Sequence, residues 1–159
     1  MKIKANSTFA KVKYYVCLPL AAERNDLETT RDSCLKMLYT LDRAGLLLLL
    51  TRNVKDYKHL VAPEKIFLGN TNLMYALGSV VNEGTLRETF FLNQLSQNYD
   101  VNAPSRGDFM IDGKCLFEVG GKNKTFEQVK DVADSYLAVD GVEIGSGRRI
   151  PLWMFGLLY

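Results

Sequence analysis

Histidine is almost missing from this sequence. His59 is the only one in 159 residues, so a catalytic scheme that needs two imidazoles has no basis within the chain. Cysteine is nearly as scarce. Cys17, Cys34 and Cys115 are odd in number, lie far apart and form no C-x-x-C pair. That argues against a structural zinc site or a disulfide framework and fits a reducing, cytoplasmic setting. Nucleotide-binding loops are lacking as well. Gly121-Lys122 has neither the upstream glycine nor the following Ser/Thr of a Walker loop, and Gly145-Ser146-Gly147 runs into Arg148-Arg149-Ile150 without the third glycine of a dinucleotide fingerprint. No nucleotide is expected as a partner, and no ATP hydrolysis.

Long apolar runs are also absent. The five leucines Leu46–Leu50 are followed at once by Arg52 and Lys55. This is far short of the ~20 residues a membrane span requires, so a buried strand is expected and no membrane partner. Lys2, Lys4, Lys11 and Lys13 precede the apolar stretch Tyr14–Ala22 and loosely imitate an export signal. Pro19 interrupts that stretch and the polar lead-in is long, which favours a first strand or helix. Finally, neither sign of charge dominates: 20 basic against 18 acidic residues leave +2, too balanced for a whole-molecule polyanion binder.

What is present is enough for a core, with 47% hydrophobic and 24% charged residues. Thr29-Thr30-Arg31-Asp32 reads as a helix start, with Cys34, Leu38 and Leu41 at helical spacing and Gly45 as the stop. Leu46 to Thr51 follows as a strand, and Arg52 to Lys58 as an exposed hairpin tip closed by Pro63. This order matches the second half of a winged helix, whose uses are nucleic-acid contact, protein docking or plain packing. We therefore expect residues 1–62 to form an N-terminal segment with a partial winged helix, and residues 63–159 an α/β domain.

In that second unit Lys65–Leu68 reads as a strand, with a short helix capped by Asn70 or Thr71 through Leu77 and a longer helix from Gly84 to Gln97. Strands are expected at Tyr99–Val101, Asp108–Ile111 and Lys114–Val119, then a helix at Thr125–Ala133 and strands at Tyr136–Val139 and Pro151–Leu158. In the last strand Trp153 and Phe155 would both face the core. The class is mixed α+β, or α/β with a mixed sheet flanked by helices.

Three acidic residues stand in apolar company. Glu88 has Phe91, Leu92 and Leu95 at i+3, i+4 and i+7, which sets its carboxylate on an apolar helix face. A carboxylate there requires a cation or hydrogen-bond donor beside it. Asp108 opens the strand Phe109-Met110-Ile111, and Glu118 lies within Cys115-Leu116-Phe117-Glu118-Val119, with Lys122 after two glycines. Carboxylates plus a lysine suit Mg²⁺, with Asp108 and Glu118 as metal ligands and the lysine orienting water. Equally, Glu88 and Lys122 could be a plain buried ion pair.

The hairpin register decides whether the metal site exists, because a bridging metal fits only the second of two registers. A two-residue turn at Asp112-Gly113 would pair Ile111 with Lys114 and Asp108 with Phe117, turning Asp108 and Glu118 to opposite sides. A three-residue loop would pair Met110 with Lys114 and leave Asp108 diagonal to Glu118, roughly 7–8 Å away on one face. Arg148, Arg149, Lys122, Lys124 and Lys130 could line a phosphate-facing edge.

These residues carry a family resemblance. Thr29-Thr30-Arg31-Asp32, Leu41-Asp42-Arg43-Ala44-Gly45-Leu46-Leu47, Lys65-Ile66-Phe67-Leu68, Gly84-Thr85-Leu86-Arg87-Glu88-Thr89-Phe90-Phe91-Leu92, Gly107-Asp108-Phe109, Phe117-Glu118-Val119-Gly120-Gly121-Lys122 and Pro151-Leu152-Trp153 together resemble the C-terminal part of a bacterial, Bacteroides-like family of AAA-type ATPases. That part joins a winged-helix segment to a domain with the restriction-endonuclease-like PD-(D/E)xK fold. The resemblance implies Glu88, Asp108, Glu118 and Lys122 as site residues, Asp108 and Glu118 as the metal carboxylates, and Mg²⁺ as the cofactor if one is used. It departs in two respects: the nuclease pattern has lysine two residues after the glutamate, where Gly120 stands here, and the family's ATPase half has no counterpart in this sequence. The expected function is a non-ATPase regulatory, docking or nucleic-acid-binding module, with DNA, a partner protein or a second copy as partner. A Mg²⁺-dependent DNA nuclease and a purely structural scaffold are the alternatives.

Overall fold

A computed structural model describes residues 31–52, 62–77 and 81–158. The expected N-terminal strand or helix, the caps Thr29 and Thr30, Cys17, His59 and most of the expected hairpin tip lie outside the described residues.

Helix α1 (Arg31–Arg43) ends as its glycine dictates. Gly45 takes φ 71°, its N–H reaches the Asp42 carbonyl, and Leu46 N–H reaches that of Leu41. This is the left-handed cap that glycine adopts at no steric cost. It delivers the chain into β1 (Leu47–Leu50), which pairs antiparallel with β2 (Lys65–Leu68), Leu47 opposite Leu68 and Leu50 opposite Lys65. The hairpin straddles the expected division at residue 62, and Leu50 and Phe67 on its inner side belong to the main core.

Helix α2 (Thr71–Leu77) starts on the side chain of Asn70, which accepts from Leu73 N–H. Helix α3 (Glu83–Leu95) begins one residue before the expected Gly84, because Asn82 caps it by accepting from Thr85 N–H. Five strands follow in spatial order: β3 (Val101–Asn102), β4 (Phe109–Ile111), β5 (Cys115–Gly120), β6 (Ser135–Val139) and β7 (Arg149–Pro151). The first three are antiparallel, while β5, β6 and β7 are parallel, so the sheet is mixed. The class is α+β with two sheets.

Helix α3 covers one face of the larger sheet. Phe91 lies at its centre, with ring centroids 5.1 Å from Phe109, 5.2 Å from Phe117 and 4.7 Å from Phe155. Each fully buried aromatic of this kind contributes about 1.5–3 kcal/mol relative to exposure. The opposite face presents Leu116, Leu137 and Val139, packed under Phe126, Val129 and Val132.

Two expected elements differ. Residues 125–133 form a chain of turns instead of a helix, with Val129 N–H bonded to Phe126 O and Val132 N–H to Val129 O. Their carbonyls, with those just before them, are claimed from outside: Arg149 donates to Lys122 O and Lys124 O, and Arg148 donates to Val132 O and Ala133 O. The Ser135 hydroxyl lies 2.8 Å from Val129 O and 2.7 Å from Val132 O. Helix propensity loses here to tertiary hydrogen bonding. The two arginines, expected at a phosphate-facing edge, are spent on the chain's own backbone.

The second difference is at Leu152–Leu157, a 3-10 helix following β7 where a strand was expected. Its three-residue period brings Leu152 and Phe155 inward and turns Trp153 out, 54% exposed, whereas strand alternation would have set Trp153 beside Phe155. Among the described residues no helix is long and apolar enough to cross a membrane.

These placements predict unequal costs. Phe155→Ala should lose about 3–5 kcal/mol of stability, as large core deletions do. Trp153→Ala should change it by no more than about 0.5 kcal/mol. Urea unfolding of both variants checks this, and equal losses would contradict the outward placement of Trp153.

Candidate acid–lysine site

The turn at Asp112-Gly113 forms as its sequence demands, both residues left-handed (φ 52° and 65°) and Lys114 N–H bonded to Ile111 O. Lys114 is then taken up as an extra residue, so Ile111 pairs with Cys115 and Phe109 with Phe117. Neither expected register is the observed one. The ladder ends at Phe109, and Asp108, just before β4, is tied to β5 by two bonds of its own: its N–H donates to Phe117 O and its Oδ2 accepts from Val119 N–H, each at 2.9 Å.

The cation that Glu88 requires is present, and it is Lys65. From the first position of β2 its Nζ lies 2.8 Å from Glu88 Oε2 and 3.3 Å from Asp108 Oδ1, with all three side chains at most one-fifth exposed. The same ammonium lies 5.7 Å from the centre of the Phe109 ring. Alternation along Lys65-Ile66-Phe67-Leu68 carries the signal: Lys65 shares a face with Phe67, which is fully buried. A lysine two residues from a core phenylalanine must find a carboxylate or reach past the core to water.

Glu118 has a different partner. Phe117 and Val119 face α3, so Glu118 alternates to the side covered by residues 121–134. It is 1% exposed; its Oε1 lies 2.6 Å from Lys124 Nζ, and its Oε2 has no protein partner. Lys122, the lysine expected here, has an exposed side chain and contributes its carbonyl to Arg149. The turn closed by Lys124 N–H on Gly121 O brings Lys124 back over Gly120 instead. A Cβ on Gly120 would lie 2.7 Å from both Cγ and Cδ of Lys124. The glycine at the position of the pattern's lysine is thus the space through which a later lysine reaches the glutamate. A lysine followed from a glycine pair in a turn was legible; which of Lys122 and Lys124 folds back was not.

The electrostatics follow from this geometry. Burial pushes the Glu88 carboxyl above the ordinary glutamate value and the Asp108 charge adds to it, while Lys65 and then Lys124 pull it part of the way back. Burial pulls Lys65 down, but Glu88 and then Asp108 outweigh that, and it ends above the ordinary lysine value. The two directions agree: one ammonium serves two carboxylates, so the lysine is well supplied and the glutamate is not.

The Glu88–Lys65–Asp108 unit and the Glu118–Lys124 unit are separate ion pairs, near enough for the Lys124 charge to act on Glu88. Among the described residues no three Asp, Glu, His or Cys side chains are grouped to hold a metal ion. Both Asp108 oxygens and Glu88 Oε2 are committed to the Lys65 ammonium and to Val119 N–H, while Glu118 Oε2 is left without a protein partner. Compared with protein-family models, curated protein sequences and solved structures, the chain matches none.

Two outcomes test the site. Gly120→Ala should cost about 1–3 kcal/mol by overpacking. Because the added Cβ would also lie 2.9 Å from the Lys124 Cβ, most of that cost should vanish only in a Lys124→Gly background, as a double-mutant cycle in urea would show. Because its folded value is raised, Glu88 contributes stability fully below the ordinary glutamate range and loses it as pH rises through the raised value. The stability of Glu88→Gln relative to wild type should therefore climb as the pH rises above the ordinary glutamate range. A difference that stays flat with pH would reject the raised value.

Proposed function

We propose that this chain is a non-catalytic docking module with a nuclease-like α/β fold, related to the C-terminal part of AAA-type ATPases. The mixed sheet under a glutamate-bearing helix, with Asp108 just before β4 and Glu118 within the adjacent β5, supports the restriction-endonuclease-like PD-(D/E)xK reading. The helix–glycine–hairpin order of α1, β1 and β2 supports the partial winged helix before it. One observation carries the loss of catalysis. The Lys65 ammonium bridges Glu88 and Asp108, where a nuclease would keep carboxylate oxygens open to a cation.

Docking is favoured over nucleic-acid binding because Arg148 and Arg149 are held by backbone carbonyls, while Trp153 and Leu157 stand out from the 3-10 helix at 54% and 58% exposure. The nuclease reading retains one point in its favour, the buried Glu118 Oε2 without a protein partner beside Lys124. In that reading Asp108 and Glu118 would hold Mg²⁺, with Lys124 in the part first expected of Lys122.

Plasmid and single-stranded DNA incubated with Mg²⁺ or Mn²⁺ separate the two. Wild type and Asp108→Ala should leave both substrates intact. Metal-dependent cleavage by wild type that disappears in Asp108→Ala would establish the nuclease instead, and salt-dependent DNA binding without cleavage would replace protein docking by nucleic-acid binding.

A further inference from the structure

Lys65 does more than balance charge. Its Nζ lies against one oxygen of each of two carboxylates on different elements, Glu88 on α3 and Asp108 at the start of β4. The second Asp108 oxygen is held by Val119 N–H. A divalent cation binds carboxylate oxygens at about 2.0–2.6 Å, which would bring it into the space and the field of that ammonium. We propose that the Lys65 ammonium is the resident cation of the Glu88–Asp108 pair and keeps divalent metal ions out of it.

The charge count explains both the exclusion and how to relieve it. One ammonium leaves the two carboxylates with a single negative charge between them, too little to displace a tethered lysine that already donates to both. A neutral side chain of similar length leaves two negative charges across the same gap, which one divalent cation balances. The elements that hold the two carboxylates do not depend on Lys65 for their position. Glu88 rides on a capped helix packed through Phe91 and Leu92, and Asp108 is fixed by Phe117 O and Val119 N–H. The metal site is therefore latent in the backbone and closed by one residue.

This inference rests on the non-catalytic reading but is tested without cleavage, so the two can fail separately. Binding of Mn²⁺ is followed by the loss of free-ion electron paramagnetic resonance signal, and melting temperature is measured with and without Mn²⁺ or Mg²⁺. Wild type and Lys65→Arg should take up no Mn²⁺ at this pair and melt at the same temperature with or without metal. Lys65→Met should bind one Mn²⁺ at least about tenfold more tightly than wild type and melt higher when it is present. Lys65→Met with Asp108→Asn should lose that gain. If Lys65→Met folds only when Mn²⁺ is supplied, the metal has replaced the lysine and the inference stands. If Lys65→Met gains neither Mn²⁺ affinity nor metal-dependent melting, it falls. It falls equally, whatever Lys65→Met does, if wild type binds Mn²⁺ and Asp108→Asn abolishes that binding.

Discussion

A carboxylate taken from water into an apolar interior must be neutralised, hydrogen-bonded or protonated, and Glu88 sets that demand on the helix at the centre of this molecule. The demand is met by an ammonium from a strand of the other sheet. Lys65 therefore ties the small hairpin of β1 and β2 to α3 by charge as well as by apolar contact, through an ion pair of 2.8 Å in a largely buried setting. Leu50 and Phe67 supply the apolar part of the same junction, and Asp108 extends it to the larger sheet. Breaking one member would leave the others charged and buried, which is where such networks are costly.

The second unit has a different logic. Glu118 sits on the far side of β5 from the aromatic core, and its lysine comes from a loop, three residues beyond a glycine pair. Gly120 carries no role of its own in this arrangement except to be small. The ammonium reaches Glu118 by the fold of the chain and not by its spacing along a strand, so the position of a charge has been kept while the residue that supplies it has shifted. A strict reading of glutamate, one residue, lysine would overlook it.

How much of this was legible in the sequence depends on what kind of signal each part carries. The hairpin strands, α2, α3 and the strands β4, β5 and β6 follow from local periodicity and turn chemistry, which are written in contiguous residues. The need for a cation at Glu88 was equally plain from Phe91, Leu92 and Leu95 on the same helical stripe. Its source was not, because Lys65 lies far away in sequence and only the pairing of β2 with β1 brings it in. The register of the β4–β5 hairpin turned on a single extra residue, Lys114, which local turn rules do not fix. The segment 125–133 has the composition of a helix and is overruled by arginines that come later in the chain. Trp153 was misplaced for a related reason: a short apolar stretch reads equally well with a period of two or three.

Those arginines also tie the middle of the chain to its end. The crossover between the parallel strands β5 and β6 is held by turns whose carbonyls depend on Arg148 and Arg149, and both arginines lie downstream of β6. Ser135 reaches Val132 O from within β6, but Lys122 O, Lys124 O and Ala133 O are met from beyond it. The helix-covered face draws on the same stretch of chain, through Leu152 and Phe155. The last residues of the chain thus close the sheet on both sides at once.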